Sequence, residues 1–499
     1  MLIYTFVISK IKSLKGKQMK TSRLSLVASL LLASNVYAFN IDDQNIKISG
    51  NLKLWYQTMD HGGVDGENGL FRFQDDDANT ATRNEWGNVS AQIKMTGVAS
   101  NTLSYGATIN GVTSMGFNGH LTSAETTRTN DTDGNTAVET GRDQIPFWFH
   151  EIFAIYKTGN TLIKLGRQEL DTPFAYTEKW NATSNSFEAI KITNTDWKDT
   201  VISGIWVSKG NGANNSFQSA PQVFGAENTF NNYMSYEVDG EAVNPGGMLI
   251  LGVKNNSIKS VPIQAWYYNT MDVMQAWWLQ ADTKAEKLGP LKNASLKVIG
   301  AGIGLNSGIK RMVENGEFGN TNTKTDDTVA VATKAAASIG KFNAYVSFSQ
   351  TSEGNLPVAN TATNYKKTKL PTASIFNDGM VAAQPDTLAY KIGAGMKIDE
   401  ASSIGVSYGS YDVGQNTGYM QPNAKIGGPA SMGYIANSRG EDMDVSEFDL
   451  VYKTKYKDIN IKAMYIYLDQ TYVPGTDNSV ESYGTHENHI VRIVATLNF

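Results

Sequence analysis

The chain has 499 residues, no cysteine and a formal net charge of −5, with 18% charged and 10% aromatic residues. The lack of cysteine excludes a disulfide framework, a thiolate metal site and a cysteine nucleophile; the aromatic content argues against disorder, and the acidic balance leaves no electrostatic footprint for nucleic acid. Length alone suggests about three soluble domains, an expectation that the patterning of the chain overturns.

The first element is a targeting segment. Met19 opens a better N-terminus than Met1, Lys20 and Arg23 form a short basic region, Leu24 to Ala33 is an apolar run, and Val36-Tyr37-Ala38 supplies small residues at a cleavage site. This is the layout of a secretory signal peptide, and the run is shorter than the ~20 residues that span a bilayer. Cleavage after residue 38 leaves 461 residues, 39–499, as one domain. Residues 1–38 carry six basic groups and no acid, so the remaining chain has 37 basic against 48 acidic residues, a net of −11.

Beyond Ala38 the recurring period is two. Ile46, Ile48, Leu52, Leu54 and Tyr56 fall on one face, and Lys47, Ser49, Asn51, Lys53 and Gln57 on the other. Val89 to Met95, Leu103 to Ile109, Phe342 to Phe348 and Leu388 to Met396 repeat the pattern. Successive strand side chains point to opposite faces, so these are two-faced strands. The same reading along the chain predicts eighteen strands: 46–58, 85–97, 103–113, 146–157, 161–168, 186–194, 200–209, 246–255, 261–268, 275–285, 294–304, 327–338, 342–350, 387–397, 403–411, 443–455, 459–469 and 487–499. In 146–157, 200–209 and 275–285 the apolar residues do not keep to one face.

Short and long connections alternate. The long ones (59–84, 114–145, 169–185, 210–245, 305–326, 351–386, 412–442 and 470–486) share one end, with a single short link near 269–274 as the exception. That is the layout of a bacterial outer-membrane barrel, with short periplasmic turns and long extracellular loops. Closure follows from the solvent, because an open edge in lipid leaves unpaired N–H and C=O groups. The last strand places Val491, Ile493, Ala495, Leu497 and Phe499 on one face, and the terminal Phe499 resembles the signal read by the outer-membrane assembly machinery.

Gly166-Arg167-Gln168-Glu169-Leu170-Asp171-Thr172-Pro173 and Ser186-Phe187-Glu188-Ala189-Ile190, together with the strand count, resemble OprD-type porins, especially the major outer membrane proteins of epsilonproteobacteria. The resemblance implies an 18-stranded antiparallel barrel whose third loop folds into the lumen to narrow the pore. It also implies a basic ladder on one wall and passage of small carboxylate-bearing solutes. The mature chain has only eight arginines, so any ladder here is mainly lysine.

A pore discriminates at its narrowest point. The expected constriction residues are Arg167, Glu169, Asp171, Glu178 and Lys179, although strand parity groups Arg167 with Ile163 and Leu165. Lys53, Lys94, Lys164, Lys297, Lys334, Lys391, Lys462 and Arg492, with Glu447 and Asp449, are the expected lumen wall. A Lys or Arg on the lipid face near the midplane would cost ~2–4 kcal/mol. The nine tryptophans, with Tyr465 and Tyr467, suit interfacial girdles, and Trp277-Trp278 could equally be one lipid-facing and one lumen-facing residue.

Catalytic motifs lack their context. Gly405-Val406-Ser407-Tyr408-Gly409 matches G-x-S-x-G without a strand-to-helix elbow, and the histidines form no H-E-x-x-H pattern. No cofactor is expected; Asp75-Asp76-Asp77 is a Ca²⁺ candidate without EF-hand spacing, and a solvated acidic loop is the preferred reading. The expected function is a diffusion channel for small hydrophilic solutes in the bacterial outer membrane, not an enzyme. Its expected partners are outer-membrane lipid and lipopolysaccharide, and its state a monomer or homotrimer. The alternative is an adhesin or structural barrel acting through its long loops.

Overall fold

A computed structural model describes residues 40–41, 46–60, 70, 85–114, 147–211, 231–234, 236–238, 241–315, 325–363, 365, 367–377, 379, 381–414, 443–472 and 486–499. The two-residue alternation resolves into eighteen barrel strands. They are β1 Ile46–Asp60, β2 Glu85–Val98, β3 Leu103–Ser114, β4 Phe147–Thr158, β5 Thr161–Gln168, β6 Phe187–Asn194, β7 Thr200–Gly210, β8 Met248–Asn255 and β9 Ile263–Thr270. There follow β10 Met274–Leu288, β11 Leu291–Leu305, β12 Thr328–Ile339, β13 Phe342–Thr351, β14 Thr387–Lys397, β15 Ser403–Val413, β16 Met443–Tyr456, β17 Ile459–Tyr472 and β18 His486–Asn498. Each strand pairs antiparallel with its sequence neighbours, and β1 pairs with both β2 and β18. The sheet is therefore a closed barrel without an edge.

Two of the strands whose apolar residues change face contain bulges. In β4, Ile109 pairs with Phe149 and Thr108 with Glu151, so His150 is the extra residue and both His150 and Glu151 turn inward. In β7, Val207 pairs with Ala189 and Lys209 with Glu188, leaving Ser208 as the extra residue. A bulge places two residues opposite one and breaks the alternation. β10 is regular: Met274, Ala276 and Trp278 are buried inward while Trp277 and Leu279 are exposed. It is apolar on both faces because its inner face also meets an apolar core.

That core lies inside the barrel. Phe187, Ile205, Met248, Tyr268, Trp278, Ile299 and Ala330 on the wall of β6–β12 pack against Phe174, Tyr233, Leu356, Val358 and Leu370 from the loops. The outer face carries the exposed apolar band, including Ile93, Leu165, Leu251, Trp277, Val331 and Ile392. The expectation that the tryptophans form girdles is corrected in part: Trp55, Trp148 and Trp266 are buried and brace the interior, while Trp277 and Trp278 divide into one outward and one inward residue, as their adjacency allows.

Among the described residues, one α-helix, α1 (Ser307–Glu314), lies in the loop after β11. Its Ile309 and Met312 pack on the interior core. Eight residues are too few for a 3.6-residue period to stand out in sequence. At the other end, Phe499 continues the β18–β1 ladder, exchanging backbone hydrogen bonds with Gly50 at 2.8 and 3.0 Å. Its ring lies where a Cβ on residue 50 would stand, 2.7 Å away. Asp75-Asp76-Asp77 falls outside the described residues.

Candidate functional site

Among the described residues, the third and seventh loops enter the middle of the barrel and are tied to its wall by hydrogen bonds. The third loop, residues 169–186, leaves β5 and returns to β6. Its carbonyls are gathered by donors on the barrel wall. Lys53 Nζ donates to Asn181 O (3.0 Å), Trp55 Nε1 to Trp180 O (3.0 Å) and Ser90 Oγ to Ala182 O (2.7 Å). Its apolar side docks through Phe174, whose ring meets Tyr268 and Trp278 edge-on at centroid distances of 5.4 and 5.9 Å.

The seventh loop, residues 352–386 between β13 and β14, also lies inside. Glu447 on β16 accepts hydrogen bonds from Phe376 N (2.8 Å) and Asn377 N (2.5 Å). Lys391 on β14 donates to Ala373 O (2.9 Å), and Tyr411 on β15 donates to Thr372 O (2.8 Å). The two loops are joined to each other. Asn360 accepts from Tyr176 N (3.2 Å) and donates to Tyr176 O (3.0 Å) and Glu178 Oε1 (2.8 Å). Thr363 donates to the same carboxylate, and Lys369 pairs with Asp171.

Three of the expected constriction residues thus have different surroundings. Glu169 is held between His150 Nε2 (2.9 Å) and Lys179 Nζ (2.5 Å). Burial alone would raise its carboxyl pKa, but hydrogen bonds and charge from His150 and Lys179 overcome that and hold it well below the usual range, at about 2. Glu178 is buried, accepting also from Trp180 Nε1 at 3.1 Å, and serves the junction of the loops. Asp171, with its side chain largely exposed, faces Lys369.

Arg167 stands apart from them and is a correction. It pairs in register with Ile152 and Glu188, and its guanidinium donates to Phe149 O (2.7 Å) and Glu188 Oε1 (2.9 Å). Ile152 is 50% exposed among the outer apolar residues. The alternation therefore runs unbroken to the end of β5 and sends Arg167 outward.

The wall candidates fall into groups. Lys94 and Lys164 meet Glu151 at 2.9 and 3.4 Å. Arg492 donates to Gln57 Oε1 (2.8 Å) and lies over the rings of Trp55 and Trp180, 5.3 and 5.2 Å from their centroids. Lys391 is 3.5 Å from Asp449, which accepts from Ser407 Oγ at 2.8 Å. Lys462 is the register partner of Lys453, and Lys297 that of Lys334. The basic groups are spread around the barrel rather than stacked on one wall.

Comparison with solved structures points in one direction. The OccK8 (OprE) structure of Pseudomonas aeruginosa matches with a TM-score of 0.61 at 12% identity, covering 93% of this chain and 99% of that one. OpdK of the same organism, an outer membrane protein also solved with vanillate, matches at 0.60 and 10% identity, covering 91% and 98%. OccK9 (OpdG) matches at 0.61 and 11%, covering 91% and 99%. The chain has their fold. No protein-family model and no curated protein matches the sequence.

Sequence reasoning missed several members of the site. Parity was broken by the bulge that turns His150 inward. Trp55 reads as one aromatic in a strand, yet it anchors the third loop. The seventh loop carried the clearest available signal: Leu356-Pro357-Val358-Ala359 and Val381-Ala382-Ala383 are apolar runs, unusual in a loop that lies in water.

Proposed function

We propose that this protein is an outer-membrane diffusion channel for small hydrophilic solutes, in which the third and seventh loops together form the constriction. The observation that carries the reading is a third loop held inside a closed eighteen-strand barrel by the barrel's own side chains. A passive channel needs a closed, lipid-compatible wall and a narrowing lined by charged groups. Glu169, Asp171 and Lys179 are the charged groups of the narrowing, with Glu178 as its internal brace. Lys94, Lys164, Lys297, Lys334, Lys462 and Arg492 give the approach a basic lining suited to carboxylate-bearing solutes. Lys53, Lys391 and Glu447 act chiefly by holding the loops, and Asp449 by holding Lys391.

In this reading residues 1–38 are a cleaved signal peptide, 39–499 form one barrel domain, and Phe499 contributes to recognition by the assembly machinery. The exposed apolar band contacts lipid, with lipopolysaccharide at the extracellular rim, and the state is a monomer or a homotrimer. The segments Gly166–Pro173 and Ser186–Ile190 support kinship with epsilonproteobacterial major outer membrane proteins. No enzymatic step is part of the reading.

Purified protein in a planar bilayer is expected to give discrete conductance steps, and their absence would sink the channel reading. Deletion of residues 172–182 is expected to raise the single-channel conductance; an unchanged value would mean the third loop does not narrow the path.

A further inference from the structure

Six register pairs run in one line across β10–β16: Asp282 with Lys297, Lys297 with Lys334, Lys334 with Ser347, Ser347 with Lys391, Lys391 with Gly409, and Gly409 with Glu447. Direct register partners share a face, and this one is the lumen face, since Lys391 and Glu447 reach the seventh loop. The line lies just to the turn side of the interior core residues Ile299, Ala301, Ala330 and Ala332. It is separate from the Glu169 cluster on β1–β5.

The members toward β16 have partners outside the line. Lys391 meets Asp449 and Ala373 O, and Glu447 accepts from the seventh-loop N–H groups. The centre is different. Lys297 and Lys334 stand directly opposite one another, an arrangement of like charges that destabilises a sheet. Lys297 is 3.7 Å from Asp282, beyond hydrogen-bond reach, and its side chain is 37% exposed. Lys334 has no carboxylate at ion-pair distance among the described residues; its ammonium rests over the Tyr345 ring, 4.0 Å from the centroid. Tyr345 in turn lies flat against residue 393, where a Cβ would come within 2.4 Å of the ring, so only glycine leaves it that place. Beside Lys334, Ser347 is 6% exposed, and its Oγ is buried with no hydrogen-bond partner among the described residues. A buried hydroxyl without a partner carries a desolvation cost.

Resting on the channel reading, we propose that Lys297, Lys334 and Ser347 form a binding site for a small doubly charged oxyanion in the periplasmic half of the lumen. Two ammoniums side by side are offset by two negative charges, and the hydroxyl donates to a further oxygen of the same group. Charge-assisted hydrogen bonds of this kind are short and strong, and lysine serves as a point charge for phosphate. Lys334 swings from the Tyr345 ring onto the anion, and Ser347 gains the acceptor it lacks. The site makes passage of such solutes saturable.

The test uses the full barrel in a planar bilayer in KCl, with inorganic phosphate added at mildly alkaline pH. Phosphate is expected to reduce the KCl current saturably, while acetate at equal charge does not. Lys334→Gln should weaken the block about tenfold, the loss of one charge-assisted hydrogen bond. Ser347→Ala, a small change with little bearing on folding, should weaken it about threefold, in line with a neutral hydroxyl donor. Lys453→Gln, at another lumen position, should leave the block unchanged. Succinate is the second arm: block by both supports the site for doubly charged oxyanions generally, and block by phosphate alone supports it for phosphoryl groups. Equal weakening by Lys453→Gln and Lys334→Gln, or equal block by acetate, overturns the site in favour of diffuse attraction. A channel that conducts KCl but shows no block also overturns it and leaves the channel reading intact. A protein that conducts nothing overturns both.

Discussion

Glu169 lies where the third loop leaves its strand, and its charge is fixed by two neighbours of different origin. His150 reaches it only because of the bulge in β4, and Lys179 reaches it from within the loop. Burial opposes the charged form, and these partners more than offset it, so the carboxyl titrates at about 2. A carboxyl whose pKa falls on folding stabilises the folded state above its unfolded value. That contribution disappears as the pH drops through the folded value. An unfolded glutamate titrates near ~4.3, so the window of loss runs from there down to about 2. The difference in reversal potential between the parent channel and Glu169→Gln, measured in a salt gradient, is therefore expected to stay constant from neutral pH to well below the ordinary glutamate pKa. A difference that vanished near that ordinary pKa would show that His150 and Lys179 do not hold the charge.

At the scale of the element, the seventh loop is held by acceptors and donors that the barrel wall extends to its backbone. Glu447 accepts from two successive N–H groups, Phe376 and Asn377. Removing the carboxylate leaves two inward backbone donors without their acceptor, at a cost of ~1–3 kcal/mol each. Glu447→Ala is expected to loosen this loop while the strands persist, so trypsin should cut at Lys367 or Lys369 sooner than in the parent. Glu447→Gln, which keeps one acceptor oxygen, should be cut at an intermediate rate. Equal rates for all three would mean that the loop is held by its apolar contacts alone. The strands were legible because lipid outside and water inside impose opposite chemistry on alternate residues, as in β2, β3 and β14. Legibility failed where that contrast failed. β4 and β7 carry bulges, and β10 meets an apolar core on its inner face. The inward course of the seventh loop is written in apolar content rather than in period. Arg167 shows the converse: its parity was readable and correct, and the expectation of an inward turn at the strand end was what the structure overruled.

For the whole molecule, closure is the condition on which every other feature depends. The seam between β1 and β18 joins Asn51–Asp60 to Asn498–His489 in unbroken register, and Phe499 extends it to Gly50. Without β18 the facing edges of β1 and β17 would both present unpaired N–H and C=O groups to lipid, each costing several kcal/mol. No rearrangement of the polar loops could cover them inside the hydrocarbon layer. The interior would suffer as well, because Ile490 packs with Met59 and Ile466, and Arg492 braces Trp55 and Trp180 of the third-loop anchor. Closure and constriction therefore share one strand. Deleting residues 487–499 is expected to abolish both the compact, heat-modifiable band on a gel and all conductance. The single change Arg492→Gln should leave the compact band in place while altering conductance, since it removes the brace and spares the backbone ladder. If the truncated chain still migrated as a compact species when unheated, the seam would not be what closes the barrel. If Arg492→Gln matched the parent in conductance, the coupling of seam to constriction would fail while closure stood.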